Sequence, residues 1–180
     1  GMDGTGQLFE PFVACLPSGI SAKVVSYPAH EKLGYEALVE HVLHLLPRNE
    51  PFALLGESYS GPIAVAVAAR SAPVALILAC SFITNPRPAL APLRPLLAWL
   101  PAPGRWLGPL SAALMGRHAT PALRQVLAHA IRAVPADVLR HRAASVLSVD
   151  VTPALASVQC PVLYLQAGED RVVPPRCANE

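Results

Sequence analysis

An α/β fold, a mainly parallel sheet flanked by helices, is what this sequence predicts, and three observations predict it. Residues 51–56, 74–81 and 161–166 are short runs that stay apolar at successive positions instead of alternating, the pattern of strands covered on both faces. Segments of helical periodicity lie between them. A composition that is 53% hydrophobic and 14% charged supplies the buried surface that such a layered arrangement requires.

Taken in order, the glycine-rich start is followed by residues 8–16, which have helical character and stop at Pro17-Ser18-Gly19. Residues 22–27 are short and β-branched, which predicts a strand. Residues 31–46 then carry Leu38, Val39, Val42, Leu45 and Leu46 at amphipathic spacing and end at Pro47, which predicts a second helix. Residues 51–56 are a strand, 60–71 a helix of almost entirely small residues, and 74–81 a strand bounded by Pro73. Between Pro86 and Pro109 prolines recur among leucines, Trp99 and Trp106, and residues 121–149 turn helical with His and Arg on one side. The strand-helix alternation therefore lapses, which predicts a helical cap inserted at 86–150 between core parts at 1–85 and 151–180. Residues 161–166 restore a buried strand, and Ala167-Gly168-Glu169-Asp170 is a turn at its C-terminal end.

Several function classes are disfavoured. The net charge is +2 and the arginines are scattered, so there is no electrostatic footprint for nucleic acid. Cys15, Cys80, Cys160 and Cys177 form no CxxC pair, so no metal site is expected, and they read as buried thiols in a reducing compartment. No organic cofactor is implied. The opening GMDGTGQLFEPF lacks the basic head and apolar stretch of a signal peptide, which makes the cytoplasm the expected compartment. The most membrane-like stretch, 63–83, is interrupted by Arg70, Ser71 and Pro73, so no membrane span is expected.

The chemistry is carried by Gly56-Glu57-Ser58-Tyr59-Ser60-Gly61. A serine nucleophile needs its hydroxyl held out from the scaffold at the start of a helix, where backbone N–H groups can receive developing negative charge. Small residues on either side let strand and helix approach, a need met by Gly56 and nearly met by Ser60. A helix N-cap is the bland alternative for Ser58, but it does not account for Gly56 or Gly61. With an apolar strand before it and an Ala/Val helix after it, this motif resembles the GxSxG nucleophile elbow of the α/β-hydrolase superfamily, with Ser60 in place of the final glycine.

The resemblance extends to two further places. Gly1-Met2-Asp3-Gly4 is similar to the superfamily's oxyanion loop, which implies backbone N–H donors at Met2 and Tyr59. Gly168-Glu169-Asp170-Arg171-Val172-Val173-Pro174 resembles the acid loop, which implies that Asp170 orients a catalytic histidine. The superfamily's order is Ser, Asp, His, whereas His30, His41, His44, His118, His129 and His141 all precede Asp170. The expectation is therefore a fragment lacking both ends of the full domain, with the histidine beyond residue 180. The implied reaction is hydrolysis of a moderately hydrophobic carboxylic ester through an acyl-enzyme, the apolar cap roofing the serine. Acyltransferase and thioesterase chemistry, a non-catalytic remnant or scaffold, and a homo-oligomer pairing exposed sheet edges remain open.

Overall fold

Ala53–Glu57, Ala75–Ala79 and Val162–Leu165 form strands β1, β2 and β3, which pair in that order, all parallel. The register sets Gly56 beside Leu78 and Leu78 beside Tyr164, so the three strands end together. In the computed structural model residues 1–99 and 120–179 are described, and the part of the expected cap that holds Trp106 and His118 lies outside them. The earlier helices are α1 (Glu10–Ala14), α2 (Tyr35–Leu45) and α3 (Gly61–Ala68). A run of 3-10 turns (Pro88–Trp99) follows β2, where Pro92 and Pro95 each remove a backbone donor and prevent a regular α-helix. Then come α4 (Pro121–Arg132), α5 (Ala136–Val146) and the short α6 (Thr152–Leu155).

The small side chains of α3 let it pack tightly. Ile63, Val65 and Val67 are almost wholly buried, each stabilising the fold by roughly 1.5–3 kcal/mol. One side of α3 meets Leu38, Val39 and Val42 of α2 with Tyr27 and Tyr59, and the other meets Leu76 and Leu78 of β2. The excursion between β2 and β3 leaves and returns at one neck. Thr84 and Asp150 form an antiparallel bridge there, and Asn85 Nδ2 donates to the Leu147 carbonyl at 3.0 Å.

The expected strand at 22–27 does not form. The segment lies outside any ladder of the described residues: Tyr27 N–H donates to Gly4 O at 2.8 Å, and Val24 is exposed. β-branched residues make a strand only where a neighbour offers a ladder, and here the neighbouring backbone is a turn. The second helix begins at Tyr35, after Gly34, and not at Glu31. β3 also departs from the expectation of a sheet covered on both faces, since Val162, Leu163 and Leu165 are about half exposed. Of the cysteines, Cys177 is buried and Cys15 is exposed.

Candidate active site

Ser58 is the residue at which the chain leaves β1. Glu57 is still extended, at φ −103° and ψ 132°, whereas Ser58 has φ 50°, in the left-handed region. Such a backbone costs a non-glycine residue about 1–2 kcal/mol and persists only where its surroundings enforce it. The next residues run through a 3-10 turn (Ser58–Ser60) into α3, with Pro62 in the first helical turn. Reversing direction within one residue brings strand and helix together. A Cβ on Gly56 would stand 2.7 Å from Ala64 Cβ and 2.8 Å from the Ser60 carbonyl, so only glycine fits. Glycine at Ser58 would remove the strain together with the hydroxyl. Ser58→Gly is expected to raise stability by roughly 0.5–1 kcal/mol after its own entropic cost, read as a higher urea midpoint.

Hydrogen bonds hold the turn from both sides. Ser81, fully buried at the end of β2, donates from Oγ to the Ser58 carbonyl at 2.7 Å, and Tyr164 of β3 donates to the Ser81 carbonyl at 2.7 Å. On the other side Tyr27 Oη donates to Ser60 Oγ at 2.8 Å. Burial pushes the Tyr27 phenol up to about 12, so it stays a neutral donor. Ser60, expected to matter for its small size, is thus also an acceptor. Tyr59 is buried and stacks on Tyr35 with ring centroids 4.8 Å apart.

The Gly1–Gly4 segment is a turn closed by Gly4 N–H donating to Gly1 O at 3.1 Å. In a trans peptide the C=O and N–H point opposite ways, so this bond turns the Met2 N–H out of the turn. The Met2 side chain packs against the cluster containing Tyr27 and Tyr59, and the Gly1 nitrogen lies 2.9 Å from Glu57 Oε2. Tyr59 directly follows Ser58 in the turn, and Met2 packs against the cluster to which Tyr59 belongs. Asp3 is buried, its Oδ2 accepting from Thr5 N–H at 2.9 Å and Thr5 Oγ1 at 2.7 Å.

Asp170 lies beyond the C-terminal end of β3, where its Oδ1 accepts from the N–H groups of Val172 and Val173 at 2.8 and 2.9 Å. Between it and Ser58 stands Cys80, at φ 47° the other non-glycine residue of positive φ among the described residues. Cys80 follows Ala79 as Ser58 follows its register partner Glu57, so adjacent strands make the same left-handed exit. Burial pushes the Cys80 thiol up and the Asp170 and Glu57 carboxylates add to it, against a hydrogen bond from the Ala167 backbone.

No histidine joins these groups among the described residues. On α2, His41 Nε2 lies 3.0 Å from Ser26 O and His44 Nδ1 2.7 Å from Glu40 O, while His30 is exposed. His129 and His141 sit on α4 and α5, and no hydrogen bond joins any of these rings to Ser58 or Asp170. Among the described residues there is also no group of three or more His, Cys, Asp or Glu able to hold a metal, and no helix long and apolar enough to cross a membrane. Sequence reasoning missed Tyr27, Ser81 and Tyr164, which carry no motif of their own.

Known proteins share this fold. A hydrolase from Oleispira antarctica superposes with a TM-score of 0.80 at 16% identity, covering 99% of this chain and 74% of that one. A hydrolase from Pseudomonas aeruginosa gives 0.78 at 18%, covering 99% and 73%. The enol-lactonase from Burkholderia xenovorans gives 0.76 at 18%, covering 99% and 74%. In sequence, the chloroplastic phytyl ester synthase 1 of Arabidopsis thaliana is 32% identical over 112 residues, covering 56% of this chain. The chain spans only 16% of that relative's length. The model of the alpha/beta hydrolase family matches residues 6–180, and with the strained strand-to-helix turn at Ser58 in view, the chain belongs to the alpha/beta hydrolase family.

Proposed function

We propose that this protein is a serine hydrolase of carboxylic esters in which Ser58 is the nucleophile, the N–H groups of Met2 and Tyr59 form the oxyanion hole and Asp170 is the acid of the triad. The observation that carries the reading is the left-handed Ser58 at the junction of β1 and the turn into α3. That backbone presents the hydroxyl at the end of the sheet, beside N–H groups not yet committed to helical bonds. Ser58 Oγ would attack the acyl carbonyl, its proton passing to a histidine. The tetrahedral oxyanion would be held by the two N–H groups until the alcohol leaves and water releases the acid. A histidine after Asp170 in chain order completes this scheme, and esterolysis is expected of a polypeptide that carries one. The substrate is a small-molecule ester of moderate hydrophobicity, with residues 86–150 as the cap over it.

A second reading has its own support. The matched Arabidopsis relative is an ester synthase by name, which favours transfer of the acyl group from Ser58 to an alcohol instead of water. A serine-directed fluorophosphonate, with the adduct located by peptide mass spectrometry, tests both readings at once. Labelling at Ser58 is expected of a polypeptide that carries the histidine, and its absence there, with the fold intact, would leave a non-catalytic member of the family. Product analysis with an acyl ester and a long-chain alcohol then separates acid from new ester.

The role of Asp170 has its own test. In Asp170→Asn the amide Oδ1 can still accept from Val172 and Val173, so the fold should persist. The charge that stabilises an imidazolium is gone, and ester turnover by the histidine-bearing polypeptide is expected to fall about 10²- to 10⁴-fold. Unchanged turnover would move the role to another acid such as Asp150.

A further inference from the structure

The deepest charge in the described structure is not in the expected triad. Arg142 of α5 has no exposed surface, and among the described residues no carboxylate lies within ion-pair distance of it. Its guanidinium is spent on backbone carbonyls. Nη1 donates to Met2 O at 3.1 Å and to Asp3 O at 2.7 Å, and Nη2 donates to Pro28 O at 3.0 Å. Its Cζ stands 5.7 Å from the centroid of the Tyr27 ring. Gly4 makes room for this: at φ 68°, a Cβ there would lie 2.8 Å from Arg142 Nη1 and 2.7 Å from Tyr27 Cδ2.

Burying an arginine costs several kcal/mol in lost hydration, and Nε remains buried with no hydrogen-bond partner among the described residues. Three carbonyls alone are a poor return if stability is the only benefit, since an apolar side chain of similar volume would fill the space without the desolvation cost. The carbonyls are not arbitrary. Met2 O and Asp3 O flank the turn that carries the Met2 N–H, and Pro28 follows Tyr27, whose N–H holds Gly4 O and whose hydroxyl holds Ser60. The fork of the guanidinium holds the Gly1–Gly4 turn and the Tyr27–Pro28 segment to one rigid plane.

We propose that Arg142 is a positioning residue that clamps the Gly1–Gly4 turn so that the Met2 N–H stays aimed at the oxyanion formed on Ser58. The proposal deepens the serine-hydrolase reading and rests on it. It also ties that turn to α5, whose Val138 and Leu139 are buried in a cluster with Leu127, Ile131 and Val134.

The test is run in a polypeptide that carries the histidine after Asp170, and compares the unaltered sequence with Arg142→Lys, which keeps the charge but loses the fork, and Arg142→Met, which keeps most of the volume but no donor. Hydrogen exchange by mass spectrometry should show peptides covering residues 1–6 and 26–29 exchanging at least about tenfold faster in both variants, with α3 and β2 unchanged. Fluorophosphonate labelling of Ser58 should slow about 10- to 100-fold at saturation, with the probe concentration for half-maximal rate unchanged, because a displaced donor affects the transition state and not binding. Exchange that stays slow in the turn, or rises uniformly along the chain, overturns the clamp. A loosened turn with undiminished labelling overturns the positioning role. If that polypeptide with Arg142 intact does not label, the hydrolase reading fails, and the exchange data still decide whether the clamp exists.

Discussion

In a polypeptide that carries the histidine, Ser58→Ala will abolish fluorophosphonate labelling and cut ester turnover by at least about 10³-fold. The reason is chemical, since an alanine offers no atom to form the acyl bond. The fold should not suffer, because what holds this position is its backbone: Ser81 Oγ bonds the Ser58 carbonyl, not the hydroxyl. Circular dichroism and the urea midpoint should therefore match those of the unaltered chain within about 0.5 kcal/mol. Labelling that survives in Ser58→Ala would place the reactive residue elsewhere and end the assignment.

The largest loss of stability is expected at Gly61, where helix propensity argues the other way. Its φ of −62° is ordinary helix, so alanine should gain about 1 kcal/mol. The added Cβ, however, would run into Ser81 Oγ, with Ser81 Cβ only 2.6 Å away. Ser81 cannot yield, being fully buried and bonded through both its hydroxyl and its carbonyl. Gly61→Ala is expected to cost about 3 kcal/mol net and to slow labelling of Ser58 through the displaced carbonyl. Urea unfolding of Gly61→Ala, Ser81→Gly and the double variant closes a cycle, in which the pair should be more stable than Gly61→Ala alone. A Gly61→Ala chain as stable as the parent would show that the turn has room that the close approach denies it.

The two glycines differ in how far the sequence explains them. Gly56, with the apolar run before it and the small residues after it, marked a tight strand-to-helix turn, and the structure shows why: Ala64 and the Ser60 carbonyl occupy the space of a side chain. Gly61 stood in the same motif, but the residue that forbids its Cβ is twenty positions further on. Local signals reach only as far as local chain. That is also why β1, β2 and β3 were legible as apolar runs while residues 22–27 were misread: their composition suits a strand, but the backbone beside Tyr27 is the Gly4 turn. Arg142 shows the limit most clearly. It sits in a polar stretch between His141 and two alanines, and nothing there indicates that it meets residues about 140 positions away in sequence.

The line of hydrogen bonds from Tyr164 through Ser81 to the Ser58 carbonyl has a thermal consequence. Its outer end is on β3, the edge strand of the sheet among the described residues, with half-exposed valine and leucines, where fraying costs less than opening of the core around α3. Warming would loosen that outer strand first, free the Ser81 carbonyl and weaken the grip of Ser81 Oγ on the Ser58 carbonyl that holds the left-handed pose. The left-handed geometry at Ser58 would then be lost ahead of melting, while most of the helices remain folded.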